Sequence, residues 1–233
     1  PVNGMIGAGI FALPAIMVAA VGNFAPWMML FGALLILPLT FVFAQLATRF
    51  DSHGGPVLYA HAAFGPFAGF QSGWTRYSSG VVAVAANTQV AIAYIAVLFP
   101  VLDDPFLRAV AVIGFIAFTT VVNLVGMRTS VGTLGVMTAV KLIPLVVLII
   151  IGLLTHDPAI GFSLPAFTEF ESVVLLTFYA YMAFENGTFP AGELRDPKRT
   201  IPLALITTLA AVALFYMLVI WAYLAIAPQA GGD

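Results

Sequence analysis

The chain has 233 residues, 62% of them hydrophobic and only 8% charged, with a net charge of −2 and a mean hydropathy of +1.08. Soluble domains carry roughly 25% charged residues, so this composition describes an integral membrane protein, and the near-neutral charge argues against nucleic acid as a partner. Runs of about 20 apolar residues indicate helices rather than a barrel, whose strands would alternate; with no cysteine and three scattered histidines, no disulfide or metal cluster is expected.

Seven apolar segments can be marked, near residues 1–21, 28–48, 67–99, 106–124, 132–154, 171–190 and 201–227. The first carries Gly4, Gly7 and Gly9 within six residues. Each glycine in a helix costs about 1 kcal/mol against alanine, so this spacing predicts broken helical backbone. In a membrane such a break survives only where it is buried in protein or lines a cavity, and discontinuous helices of this kind mark the substrate sites of secondary transporters. The freed N–H groups of Gly7, Ala8 and Gly9, ahead of a following half-helix, suit a carboxylate. The competing reading is a helix-packing face of small residues. The chain starts at Pro1, already inside this apolar segment, and stops at Asp233 soon after another. It therefore reads as an internal piece of a larger protein, and no basic region precedes the first segment as a signal peptide would require.

Between the second and third segments, Gly54-Gly55-Pro56 and then Tyr59, His61 and Phe64 predict a turn and a short interfacial helix. The third segment is longer than a span needs and must tilt or extend beyond the bilayer. Arg49, Arg128, Arg195, Lys198 and Arg199 fall on one side if the segments alternate, whereas Arg108 falls on the other with Asp103, Asp104, Asp157, Glu169 and Glu171. That bias predicts a first segment running from the cytoplasm outward, as expected of a multi-pass protein of the cell membrane.

Lys141 lies near the middle of the fifth segment, about 13 Å from its cytoplasmic end at 1.5 Å per residue. A charge at that depth points into the bundle, either as an ammonium that fills a cation site or exchanges a proton, or as a structural tether to a backbone dipole. Pro144 leaves a carbonyl one turn earlier without its partner. The sixth segment ends in Tyr179-Ala180-Tyr181-Met182-Ala183-Phe184-Glu185-Asn186-Gly187. Glu185, Asn186 and Gly187 predict a second break, with Glu185 near the start of a new half-helix. There it serves as a proton carrier or gating group, or as a capping carboxylate. Tyr179 and Tyr181 either stack on a ligand or fill the core. The stretch 193–202 holds both charge signs between Asp196-Pro197 and Pro202, which predicts a salt-bridged hinge or a solvated loop, with Pro202 in the first turn of the last helix.

Taken together, these motifs resemble the amino acid–polyamine–organocation (APC) transporters. Gly-Met-Ile-Gly-Ala-Gly-Ile-Phe-Ala-Leu-Pro (4–14) looks like the first-helix motif of that family. Phe184-Glu185 and then Glu193-Leu-Arg-Asp-Pro-Lys-Arg-Thr-Ile-Pro (193–202) look like its sixth helix and following loop. Gly54-Gly55, Tyr59, Ala63-Phe64-Gly65, Gly69-Phe70 and Gly73-Trp74 resemble the region between helices two and three, while Asn123, Gly126 and Lys141 resemble helices four and five. The match runs in order along essentially the whole chain. Two departures stand out: Ala183 occupies a position where the family usually has glycine, and Asn186-Gly187 is untypical.

The resemblance implies an all-α, LeuT-type fold of two inverted five-helix repeats, usually within twelve helices. Residues 1–154 would form the first repeat and 171–227 the first two helices of the second, with helices eight to twelve outside this chain. It implies that backbone at Gly7, Ala8 and Gly9 holds a substrate carboxylate, and that backbone at Tyr179, Ala180 and Met182 faces an amino group. Tyr179 would stand where many members carry an aromatic gate, and Asn87 and Met5 near side-chain contact positions. Lys141 would stand where sodium-coupled relatives bind Na⁺, which favours sodium-independent proton symport or exchange. The expected function is secondary active transport of an amino acid or related amine across the bilayer by alternating access. No nucleophile–base pair, cofactor motif or nucleotide-binding loop points to an enzyme. The rival reading is a seven-helix receptor or retinal protein, suggested by seven spans and one buried lysine; against it, Lys141 is not in the last span and glycine breaks have no use in such a bundle. A channel would need a filter repeat or a ring of charges. The particular substrate and the oligomeric state are not encoded in any motif of this stretch.

Overall fold

The computed structural model describes residues 2–50, 52–125, 130–155, 164–189 and 191–226. Arg128, Gly126, Asp157 and Pro190 of the motifs above lie outside them, as do the side chains of Asn123 and Glu193. Among the described residues every regular element is helical: α1 (Val2–Met5), α2 (Leu13–Val21), α3 (Ala25–Ala47), α4 (Pro56–Phe64), α5 (Pro66–Leu98), α6 (Pro105–Val125), α7 (Ser130–Thr155), α8 (Phe167–Ala180) and α9 (Pro197–Ile226). Three apolar stretches, Leu13–Arg49, Pro66–Leu98 and Pro197–Ile226, are long enough to cross a membrane, and Pro105–Val121 and Thr138–Leu154 are shorter apolar helices. The first of these stretches is divided by a 3-10 turn at Gly22–Phe24, where Gly22 takes φ 53°, a left-handed value open to glycine.

The predicted elements appear at all seven apolar segments, and the short helix expected after Gly54-Gly55 is α4. The third segment is one uninterrupted helix of 33 residues, about 50 Å long at 1.5 Å per residue. Two boundaries differ from the sequence reading. α9 starts at Pro197 rather than near 201, so Pro202 sits inside the helix instead of in its first turn. Pro197 already supplies the preset φ of a first helical position, directly after Asp196. The sixth segment does not resume as an α half-helix after its break: it continues as 3-10 turns at Phe184–Thr188 and Ala191–Glu193. Gly187 and Gly192 within this stretch weaken any longer helix.

The core lies where α2, α3, α8 and α9 meet. Met17, Met28, Met29, Ile36, Tyr181, Phe184, Leu205, Tyr216 and Ile220 are fully buried there. Glycines allow the closest approaches. A Cβ on Gly152 of α7 would lie 2.7 Å from the Ala222 Cα of α9, and one on Gly32 of α3 would overlap Thr177 of α8. α9 thus acts as a central post, touching α3 on one side and α7 on another. The long α5 packs against α4 and α6 and sends one face toward the two broken segments. Around α4, Tyr59 is buried beside Phe43 and Phe50. Burial pushes its phenol pKa up, and a hydrogen bond with Thr188 works against that rise. The charged turn before α9 is solvated: Arg195, Asp196, Lys198 and Arg199 are exposed, and no ion pair joins these described side chains to one another.

Candidate functional site

The first segment breaks where its glycines predict. α1 ends at Met5, a 3-10 turn occupies Ala8–Phe11, and α2 begins at Leu13. A break frees backbone carbonyls that lipid cannot satisfy, and here side chains from distant elements take them. The Tyr216 hydroxyl of α9 donates to the Met5 carbonyl at 2.8 Å, and the Lys141 ammonium of α7 donates to the Ile6 carbonyl at 2.5 Å. Gly7 N–H turns back to the Met5 carbonyl at 3.0 Å. Of the three amides expected to receive a carboxylate, that of Gly7 is therefore engaged within the chain, which leaves Ala8 and Gly9 in the first turn of the 3-10 helix. No side chain caps that turn.

The second break follows Ala180. Residues 181–183 form a turn, and Ala183 takes φ 72°, a left-handed conformation that costs a non-glycine residue about 1–2 kcal/mol. This is the position where the APC pattern usually has glycine. Asn186 N–H bonds the Ala183 carbonyl at 3.2 Å, and the Tyr181 hydroxyl donates to the Met29 carbonyl of α3 at 2.8 Å. Tyr181 is 0% exposed and fills the core, whereas its neighbour Tyr179 is 71% exposed and open to a ligand.

Between the two breaks lies a cavity of about 370 Å³. Met5, Gly7, Gly9, Asn87, Tyr179, Ala180 and Met182 line it, all of them named from the sequence. A Cβ on Gly7 or Gly9 would meet open space, whereas one on Gly4 would lie 3.1 Å from Asn186 Nδ2. Gly4 also lines the cavity but packs closely against the second break, whereas Gly7 and Gly9 border open space. Lys141 and Glu185 are not in the lining: Lys141 sits behind the first break on the Ile6 carbonyl, and the Glu185 carboxylate lies 3.4 Å from Arg76 of α5.

Two polar residues at the site were missed in the sequence. Tyr216 lines the cavity and holds the Met5 carbonyl; a phenol in an apolar helix calls for a buried acceptor. Arg76 bonds Glu185 and Asn186 and stands 5.2 Å from the centroid of the Phe189 ring. A guanidinium inside an otherwise apolar span was a visible signal for it.

Comparison with known proteins agrees with these motifs. Residues 2–231 match the family described as amino acid permease. The cadaverine/lysine antiporter of Escherichia coli K12 is 31% identical over 206 residues, covering 86% of this chain and 46% of that protein. Polyamine transporter PUT1 of Oryza sativa subsp. japonica is 29% identical over 204 residues, covering 85% of this chain and 38% of the relative. Serine/threonine exchanger SteT of Bacillus subtilis is 27% identical over 231 residues, covering 94% and 51%. The chain thus spans about half the length of the relatives it matches, or less. Nothing in these matches favours the seven-helix receptor reading. With the motifs, the family match and this identity in agreement, the chain belongs to the amino acid permeases of the APC superfamily.

Proposed function

We propose that the full-length protein is a secondary transporter of an amino acid or related amine, and that the cavity between the two helix breaks is its substrate site. The observation that carries this reading is the convergence of seven sequence-predicted residues on one cavity of about 370 Å³, within the usual size range of small-ligand sites. The amides of Ala8 and Gly9 offer donors to a carboxylate, and the Tyr179 and Ala180 carbonyls lie at the carbonyl-rich end of α8, which favours an ammonium. Met5 and Met182 supply apolar contact, Asn87 a hydrogen-bonding amide, and Tyr179 an aromatic lid.

Lys141 places a fixed cation on the unwound carbonyl of Ile6. A protein with that tie has a resident positive charge where a metal cation would otherwise neutralise the dipole, so transport proceeds without sodium. Glu185 serves as a gating or proton-coupling carboxylate. Relatives described as an antiporter and an exchanger support exchange as the mode, with proton symport the alternative. The LeuT-type repeat is supported by the pairing of α3 with α9, each the long helix that follows a broken segment. On that plan 1–154 is the first repeat, 171–227 opens the second, and the first helix leaves the cytoplasm in the cell membrane.

The test is uptake by the full-length protein in proteoliposomes, in sodium-free buffer, against a panel of amino acids and diamines. Uptake that requires preloaded substrate makes it an exchanger, and accumulation driven by a pH gradient makes it a proton symporter. Folded protein that moves none of the panel under either condition would overturn the amino acid and amine reading.

A further inference from the structure

Arg76 stands at a junction that the transport reading above leaves unused. On α5, Ala83 and Asn87 follow it by seven and eleven residues and both line the cavity. At 3.6 residues per turn Ala83 and Asn87 each lie within about 20° of Arg76 around the helix. Arg76 therefore occupies the cavity-facing stripe, two turns or about 10 Å nearer the Pro66 end. From there its guanidinium reaches the Glu185 carboxylate at 3.4 Å and the Asn186 side-chain oxygen, and lies over Phe189. Asn186 in turn presses on α1, since a Cβ on Gly4 would be 3.1 Å from its Nδ2 and 3.3 Å from the Ala183 carbonyl. One cation thus joins α5, the second break and, through Asn186, α1, directly beneath the cavity. Arginine suits the place because its planar fork bonds two acceptors at once while its face stacks on a ring.

We propose that Arg76 is a positioning residue that closes the floor of the cavity on the Pro66 side, and that opening to that side requires its guanidinium to part from Glu185 and Asn186. The proposal rests on the cavity being the substrate site. Contacts made in only one of two conformations shift the equilibrium between them by their differential strength. The untypical Asn186 is then a component of the latch, pairing with Arg76 through one end of its amide and abutting α1 at the other.

The test uses the full-length protein, freed of any cysteines elsewhere, in vesicles. This stretch has none, so Ala83→Cys supplies a single thiol in the cavity wall. A membrane-impermeant maleimide is added to one face or the other. Arg76→Gln is expected to raise labelling from the Pro66 face about fivefold or more, with no rise from the opposite face. Arg76→Lys, which keeps the charge and loses the fork, should fall between. The exchange Arg76→Glu with Glu185→Arg should return labelling toward the parent rate. Unchanged labelling in Arg76→Gln, an equal rise from both faces, or an exchanged pair as open as Arg76→Gln would each overturn the latch. Protection of the same thiol by the transported amine reports on the cavity itself: failure to protect in the parent overturns the substrate site and is read independently of the Arg76 ratio.

Discussion

The two helix breaks solve the same problem with different chemistry. At the first, three glycines within six residues let the backbone leave the helix without strain, and two donors, the buried Tyr216 and the half-buried Lys141, hold the carbonyls of Met5 and Ile6 from behind. At the second, an alanine is held left-handed at φ 72°, and the residues that follow are fastened at the front by Arg76. The first break is thus relaxed and anchored to the core. The second is strained and tied by a half-exposed ion pair that water and salt can weaken. On the transport reading proposed above, the second break is the wall expected to yield.

The largest effect is expected from cutting the rear anchor of the first break. Lys141→Ala removes a charge-assisted hydrogen bond of about 1.5–3 kcal/mol, and uptake should be lost or strongly impaired; near-normal uptake would reduce Lys141 to packing. Next come two cavity-lining glycines with different surroundings, Gly4 crowded and Gly9 open. Gly4→Val drives a side chain against Asn186 and the Ala183 carbonyl and should destabilise by about 1–3 kcal/mol, seen as a lower Tm in detergent. Gly9→Val enters open space, so its Tm should stay close to the parent while substrate affinity falls. Equal melting of the two variants would erase the distinction between the crowded Gly4 and the open Gly9.

Smaller effects separate the tyrosines. Tyr216→Phe and Tyr181→Phe each remove one buried hydrogen bond, about 1 kcal/mol. Only Tyr216 borders the cavity, so only Tyr216→Phe should also raise KM for uptake. A KM shift of the same size in both variants would deny the first break its special link to substrate. The smallest change is Ala183→Gly, which relieves left-handed strain and should stabilise by a few tenths to about 1 kcal/mol. A lower Tm for that variant would contradict the strained geometry of the second break.

Most of the helices, the short α4 and the first break were legible because each is a local property: apolar run length, a Gly-Gly-Pro turn, clustered glycines. Seven cavity residues were legible too, though through the APC pattern rather than from spacing alone. What escaped was held by contacts distant in the chain. The partner of Glu185 lies 109 residues away and that of the Met5 carbonyl 211 residues away, and no window of sequence joins them. Arg76 was overlooked although it is a charge in an apolar span. The end of the sixth segment was misjudged in another way. Glu185 does open a new turn, but glycines at 187 and 192 keep the chain in 3-10 geometry, and the carboxylate serves Arg76 instead of capping an α-helix.

The decisive measurement is equilibrium binding of the transported amino acid or amine to purified full-length protein, parent against Gly9→Val, with Tm recorded for both. If the cavity between the breaks is the substrate site, binding is lost or weakened at least about tenfold, about 1.4 kcal/mol, while Tm is held. Binding of parent strength in a folded Gly9→Val protein would place the substrate elsewhere and contradict the assignment.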